Sequence, residues 1–232
     1  MILDIVCSIC SFLDDYDKIQ FLSTNTEIYF LRPDIFFTDP ILLDLISDLW
    51  YYNSFINIIT TTLQVFPTHT KYLTFETEFT EYIENYIPSS VTHLTFNCYF
   101  IQDKDNCIPF GVTHLTFKYG FVYQNNYGTV YRFNPNINLC IPSSVIHLTF
   151  GSVFNIDIAK CIPSSVTHLT LWYTFNEDIT GCIPDSVTHL TLGDHYKHDI
   201  RNRIPDTVKY LTLSKNYNMN WCKDLKCIIN IN

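Results

Sequence analysis

Two sets of residues in this chain are of types that do chemistry. Histidines stand at 93, 114, 147, 168 and 189, each inside a run of the form His-Leu-Thr-Phe/Leu. Cysteines stand at 107, 140, 161 and 182, each directly before Ile-Pro. Histidine nitrogens and cysteine thiolates are the usual ligands of zinc, and a thiol beside an imidazole is a nucleophile with its base. The spacing decides between these chemistries and a plainer reading. Both sets advance in steps of 21 residues with one step of 33. A zinc site needs three or four ligands converging on a point, and equal steps of this length build rows instead. No Gly-rich phosphate loop, G-x-S-x-G or H-E-x-x-H accompanies them, and the chain has only six glycines.

The rows belong to a repeat of the whole chain. Prolines at 67, 88, 109, 142, 163, 184 and 205 follow the same steps, the step of 33 being 21 plus an insertion of 12. Each unit opens with an apolar residue and proline. It continues into a run such as "VTHLTF" (91–96), and most carry an aromatic twelve residues after the proline: Phe79, Phe100, Phe154, Phe175, Tyr196 and Tyr217. In the longer unit Phe133 takes that role, so the extra residues fall near 118–132 and "YQNNYGTVY" reads as a protruding loop.

A 21-residue unit cannot bury a core alone, whereas stacked units share one. The spacing Val91, Leu94, Phe96 is that of L-x-x-L-x-L, which puts these residues inward and His93 and Thr95 outward on a strand. Proline cannot donate to a ladder, so it precedes the strand. The return segments show no helical period and are expected to be irregular or 3₁₀. The predicted fold is a solenoid with a parallel β-sheet of about seven 21-residue repeats over 66–232, behind a small helical head (1–40) and a connector and cap (41–65). "SFINIITTT" (54–62) is expected to add a strand below the first unit and "LKCIINI" one above the last. The histidines then form a stacked row on the exposed sheet face and the cysteines a buried row. Stacked imidazoles resist simultaneous protonation, so the row is expected to titrate low and broadly.

The units, "FNIDIAKCIPSSVTHLTL" (154–171) most fully, resemble FNIP repeats, short leucine-rich-like repeats known from amoebae and giant viruses. The resemblance covers roughly 66–218. The end units replace the histidine with Tyr72 and Tyr210, as capping a solenoid requires.

The chain has 232 residues, 47% hydrophobic and 16% charged, with a formal net charge of −9. That charge argues against a nucleic-acid backbone as the main partner. Nine cysteines, an odd number, and the lack of an Asn-x-Ser/Thr sequon point to reduced thiols in an intracellular, cytoplasmic protein. No run of 18 apolar residues predicts a membrane span, and "MILDIVCSICSFL" lacks the basic start and cleavage site of a secretion signal. Most of the negative charge lies in the first 50 residues, which marks a separate module. There Ile5, Ile9 and Phe12 share a helical face with Leu13 beside it. Asp14 or Asp15 caps a second helix holding Ile19 and Leu22, and Asn25 or Thr26 opens a third, stopped by Pro33.

The run from Ile5 through "ICSFLDDYDKIQFL" (9–22) resembles an F-box. The family usually opens with Leu-Pro, where this chain has Leu3 followed by Asp4. The resemblance implies a substrate-recruiting subunit of an SCF-type ubiquitin ligase. Its head would hold the Skp-type adaptor through Leu3, Ile5, Ile9, Phe12, Leu13, Ile19 and Leu22, and its solenoid would hold an unknown target protein. The alternative is a solenoid interaction module whose helices only cap the repeats. A parallel β-solenoid can also be a polysaccharide-cleaving enzyme, which would gather carboxylates on the sheet face. The variable column there (Glu76, Asn97, Lys118, Gly151, Trp172, Gly193, Ser214) has no acidic pair on neighbouring rungs, so no enzymatic activity, metal or cofactor is expected. Partner contacts are expected where the units differ: Trp172 and Tyr173 first, then Lys118, Tyr119 and Tyr127 of the insertion.

Overall fold

The computed structural model describes residues 2–30, 35–76, 79, 81–98, 107–118, 123–125, 128–130, 141–151, 158–159 and 161–232. Three helices open the chain: α1 (Ile2–Cys10), α2 (Asp15–Leu22) and α3 (Thr26–Tyr29). Asp14 caps α2 by accepting the Asp17 N–H at 2.8 Å. The Asn25 side chain accepts the Glu27 N–H at 2.7 Å at the start of α3.

Ten strands then form one parallel sheet: β1 (Ile41–Leu42), β2 (Asn57–Thr60), β3 (Tyr72–Phe75), β4 (His93–Phe96), β5 (His114–Phe117), β8 (His147–Phe150), β9 (His168–Leu171), β10 (His189–Leu192), β11 (Tyr210–Leu213) and β12 (Ile228–Ile231). They stack in chain order and in exact repeat register, so His93 pairs with His114, Leu94 with Leu115 and Phe96 with Phe117. The expected flanking strands are β2 and β12, and β1 extends the sheet one rung further. The expected loop of the insertion contains an antiparallel hairpin, β6 (Tyr123–Asn125) with β7 (Gly128–Val130).

Proline sets the entry to each rung. Its carbonyl accepts the N–H three residues on, at 3.0–3.1 Å, in all seven units from Thr70–Pro67 to Val208–Pro205. The ring that cannot donate thus starts a turn in which only its acceptor is needed. The turn brings Val91, and alternation along the strand Leu94 and Phe96, with their equivalents, into a continuous core, while His and Thr stay half-buried on the other face. Each buried aliphatic or aromatic side chain contributes about 1.5–3 kcal/mol. Phe75, Phe96, Phe117 and Phe150 stack as near-parallel rings 5.3–5.8 Å apart. The returns carry a second ladder, in which Phe175, Tyr196 and Tyr217 stack at 6.1 and 6.3 Å beside buried Ile158, Ile179 and Ile200. Among the described residues the returns are turns, with one 3₁₀ segment at Met219–Cys222. Phe100, Phe133 and Phe154 lie outside the described residues.

The head packs on the first coil. Val6, Cys10 and Leu22 join the core that holds Ile35, Phe37, Tyr51 and Phe55. The Asp15 carboxylate accepts the Asp39 N–H and pairs with Lys18, both partners of the ion pair being buried.

Candidate functional site

The sheet face presents one column of seven rings: Tyr72, His93, His114, His147, His168, His189 and Tyr210. Neighbouring imidazoles are stacked with centroids 4.0–4.2 Å apart and planes within 20°. The tyrosines close the column at 4.5 Å at each end. Four of the five histidines have Nδ1 within 2.8–3.0 Å of the hydroxyl of the preceding threonine: Thr92, Thr113, Thr167 and Thr188. Ile146 takes that place before His147 and offers no hydroxyl. Those four rings are thereby held in orientation, and His147 is held by stacking between His114 and His168. Burial, and after it the charge of other histidines in the column, holds His93, His114, His147 and His168 below the usual imidazole range. Parallel rings aim their nitrogens along a line, and no group of three or more His, Cys, Asp or Glu among the described residues can hold a metal ion.

The cysteine row is core. Cys107, Cys161 and Cys182 are buried behind the turns, and Cys140 lies outside the described residues. The Cys182 thiol lies 3.5 Å from the Thr180 carbonyl, the contact of a small side chain filling space rather than of a nucleophile beside a base.

The variable column edges the sheet face. Asn97 donates to the Glu76 carboxylate at 2.7 Å, linking two rungs. Lys118 is exposed. Trp172 and Tyr173 are 45% and 46% exposed. Tyr173 packs on the His195 ring at 4.7 Å, and its carbonyl accepts the His195 N–H at 3.0 Å. Beside this pair a cavity of about 230 Å³ runs over Gly193 and Asp194 to Ser214, Lys215 and Asn232. Tyr119 and Tyr127 lie outside the described residues.

In the head, α1 is apolar on both sides. Val6 and Cys10, four residues apart, form its buried face. Leu3, Ile5 (56% exposed), Ile9 and Phe12 (87% exposed) face away from the core, with Tyr16 exposed at the start of α2. Leu13 is half-buried between the helices. Leu22, at 0% exposure, and Ile19, packed on the same core, are removed from the outward set in which the sequence placed them. They supply the floor under the helices. The i, i+4 pair Val6–Cys10 was the available signal for that floor.

A short-repeat parallel solenoid with L-x-x-L-x-L strands, a ring-lined face and capped ends is a leucine-rich-like repeat scaffold. The family model described as FNIP Repeat matches residues 61–99, 133–174 and 175–216, more than half of the chain, and the chain belongs to that family. Among solved structures it is similar to CroV588, described as a novel circular LRR protein, with 29% identity, a TM-score of 0.57 and 72% of this chain covered. The match takes in 25% of that protein, so this chain spans about a quarter of its length. The leucine-rich repeat-containing protein LegL7 from Legionella pneumophila matches over 84% of this chain and 81% of its own, at 15% identity and a TM-score of 0.48. No curated protein matches the chain.

Proposed function

We propose that this chain is the substrate-recruiting subunit of an SCF-type ubiquitin ligase, with the head holding a Skp-type adaptor and the solenoid face a target protein. The repeat solenoid is the architecture of a protein-interaction module, and its family is one of scaffolds rather than enzymes. The observation that carries the finer reading is the exposed apolar set of Ile5 and Ile9 on α1 and Phe12 in the turn after it, with Leu3 partly exposed as well, beside a helix face already seated through Val6 and Cys10. A helix that only capped the solenoid would need one apolar face; contiguous exposed apolar surface marks a partner. In this reading the protein does no chemistry itself. It raises the effective concentration of target at the ligase.

The second reading, a head that only caps the repeats, draws on the buried contacts of Val6, Cys10 and Leu22 with the first coil. Co-purification separates the two. The intact chain retains the adaptor, and Ile5→Asp and Phe12→Asp each abolish retention without changing the circular dichroism. No capture by the intact chain removes the ligase reading. No helix among the described residues is long and apolar enough to cross a membrane.

A further inference from the structure

The variable column runs Lys118, Gly151, Trp172, Gly193, Ser214 across five consecutive rungs. Trp172 thus stands between two glycines, and both are required by close approach of adjacent coils. A Cβ at 151 would lie 2.2 Å from the Lys118 carbonyl oxygen. A Cβ at 193 would lie 2.5 Å from the Tyr173 nitrogen and 2.6 Å from the Trp172 carbonyl carbon. Neighbouring rungs are about 4.8 Å apart, so the rung of Trp172 and the rung of Ser214 are about 9.6 Å apart with no side chain between them. The cavity described above lies over this gap, and two rung spacings leave room for about one ring-thick layer. Tyr173, packed on His195, also lines it.

The chemistry of the lining narrows the occupant. Trp172 and Tyr173 give aromatic surface, while Asp194 and Lys215 bring one charge of each sign and Ser214 a hydroxyl. A guanidinium would stack on the indole and pair with Asp194 but meet the Lys215 ammonium. A carboxylate would meet Asp194. A neutral ring with C–H groups on one face and hydroxyls around its edge suits the aromatic surface and both charges together: the indole takes the C–H face, the carboxylate accepts and the ammonium donates, with the Asn232 side chain at the same rim.

We infer that the gap over Gly193 is a binding site for a neutral pyranose, stacked on Trp172 and hydrogen-bonded to Asp194 and Lys215. This deepens the reading that Trp172 and Tyr173 hold the target, and rests on it: the feature recognised is a sugar ring. The ring can belong to a free oligosaccharide or to a glycan carried by a protein.

The test applies the full-length protein to an array of immobilised neutral oligosaccharides, and to a glycoprotein before and after enzymatic removal of its glycans. Binding to a subset of neutral glycans is expected, weakened tenfold or more by Trp172→Ala and several-fold by Asp194→Asn, with unchanged circular dichroism and melting temperature for both variants. Loss of glycoprotein binding on deglycosylation assigns the ring to a protein-borne glycan; binding confined to the oligosaccharides assigns it to free sugar. Absence of glycan binding, or equal binding by Trp172→Ala, overturns the inference. If a protein target without glycans is still captured in a Trp172-dependent way, the target-holding reading survives and the sugar alone is lost. Adaptor capture is measured separately and is indifferent to either variant.

Discussion

Imidazoles stacked 4.0–4.2 Å apart disfavour charge on one another, and this ties the histidine column to pH. Burial and neighbouring histidines hold His93, His114, His147 and His168 below the usual value of 6.5 in the folded state. Between the folded and unfolded values the unfolded chain binds more protons, so acid favours unfolding. Stability is therefore full above pH ~6.5, falls as pH drops below it, and levels off once the folded rings also protonate. Urea midpoints from pH 7.5 to 5 are expected to fall, and NMR titrations of these four rings to be broad with midpoints below 6.5. Independent transitions at ~6.5 contradict the stacking account. A second residue-scale case is Tyr196, whose buried hydroxyl finds no hydrogen-bond partner among the described residues, while its neighbour Tyr217 donates to the His198 carbonyl at 2.6 Å. Tyr196→Phe removes an unsatisfied group and matches Phe175 one rung away. Chemical denaturation is expected to show equal or greater stability, by up to about 1 kcal/mol. Asp15 is the opposite case: it neutralises a buried Lys18 and accepts the Asp39 N–H, so Asp15→Ala leaves a buried charge unpaired and is expected to cost about 3 kcal/mol.

At the scale of elements, what makes each rung is what repeats, and what makes the site is what interrupts the repeat. Gly151→Ala drives a Cβ into the Lys118 carbonyl and is expected to destabilise by about 1–3 kcal/mol in equilibrium denaturation, since backbone cannot move aside cheaply. The rung itself was legible in the sequence. Pro88, Val91, Leu94 and Phe96 recur at fixed offsets, and a period of two assigns His93 and Thr95 to the outer face without knowledge of any contact. The tight approach at Gly151 and Gly193 was not legible, because it depends on how closely adjacent coils settle. The stretch before the first unit was only partly so. Asn57–Thr60 reads as a strand, but the first coil's stack of Phe37 on Phe55 at 4.7 Å joins residues with no shared period. In α1 the apolar positions are too many to reveal one face. Ile5, Ile9 and Phe12 read as a stripe, yet Val6 and Cys10 take the core, and Leu22 of α2 closes beneath them.

For the whole molecule, the head and the sheet face are separate surfaces on one continuous core, so a partner on α1 and a partner at Trp172 do not compete for the same residues. The proposed adaptor contact falls on the exposed apolar residues of α1 and the turn after it. Hydrogen exchange of the full-length protein, alone and with purified Skp-type adaptor, tests it most directly. Adaptor binding there predicts slowed exchange across α1 and the turn into α2 when adaptor is added, with the rungs β4 to β11 unchanged and no slowing in Phe12→Asp. Unaltered exchange in α1 at saturating adaptor, or slowing on the sheet face instead, contradicts it.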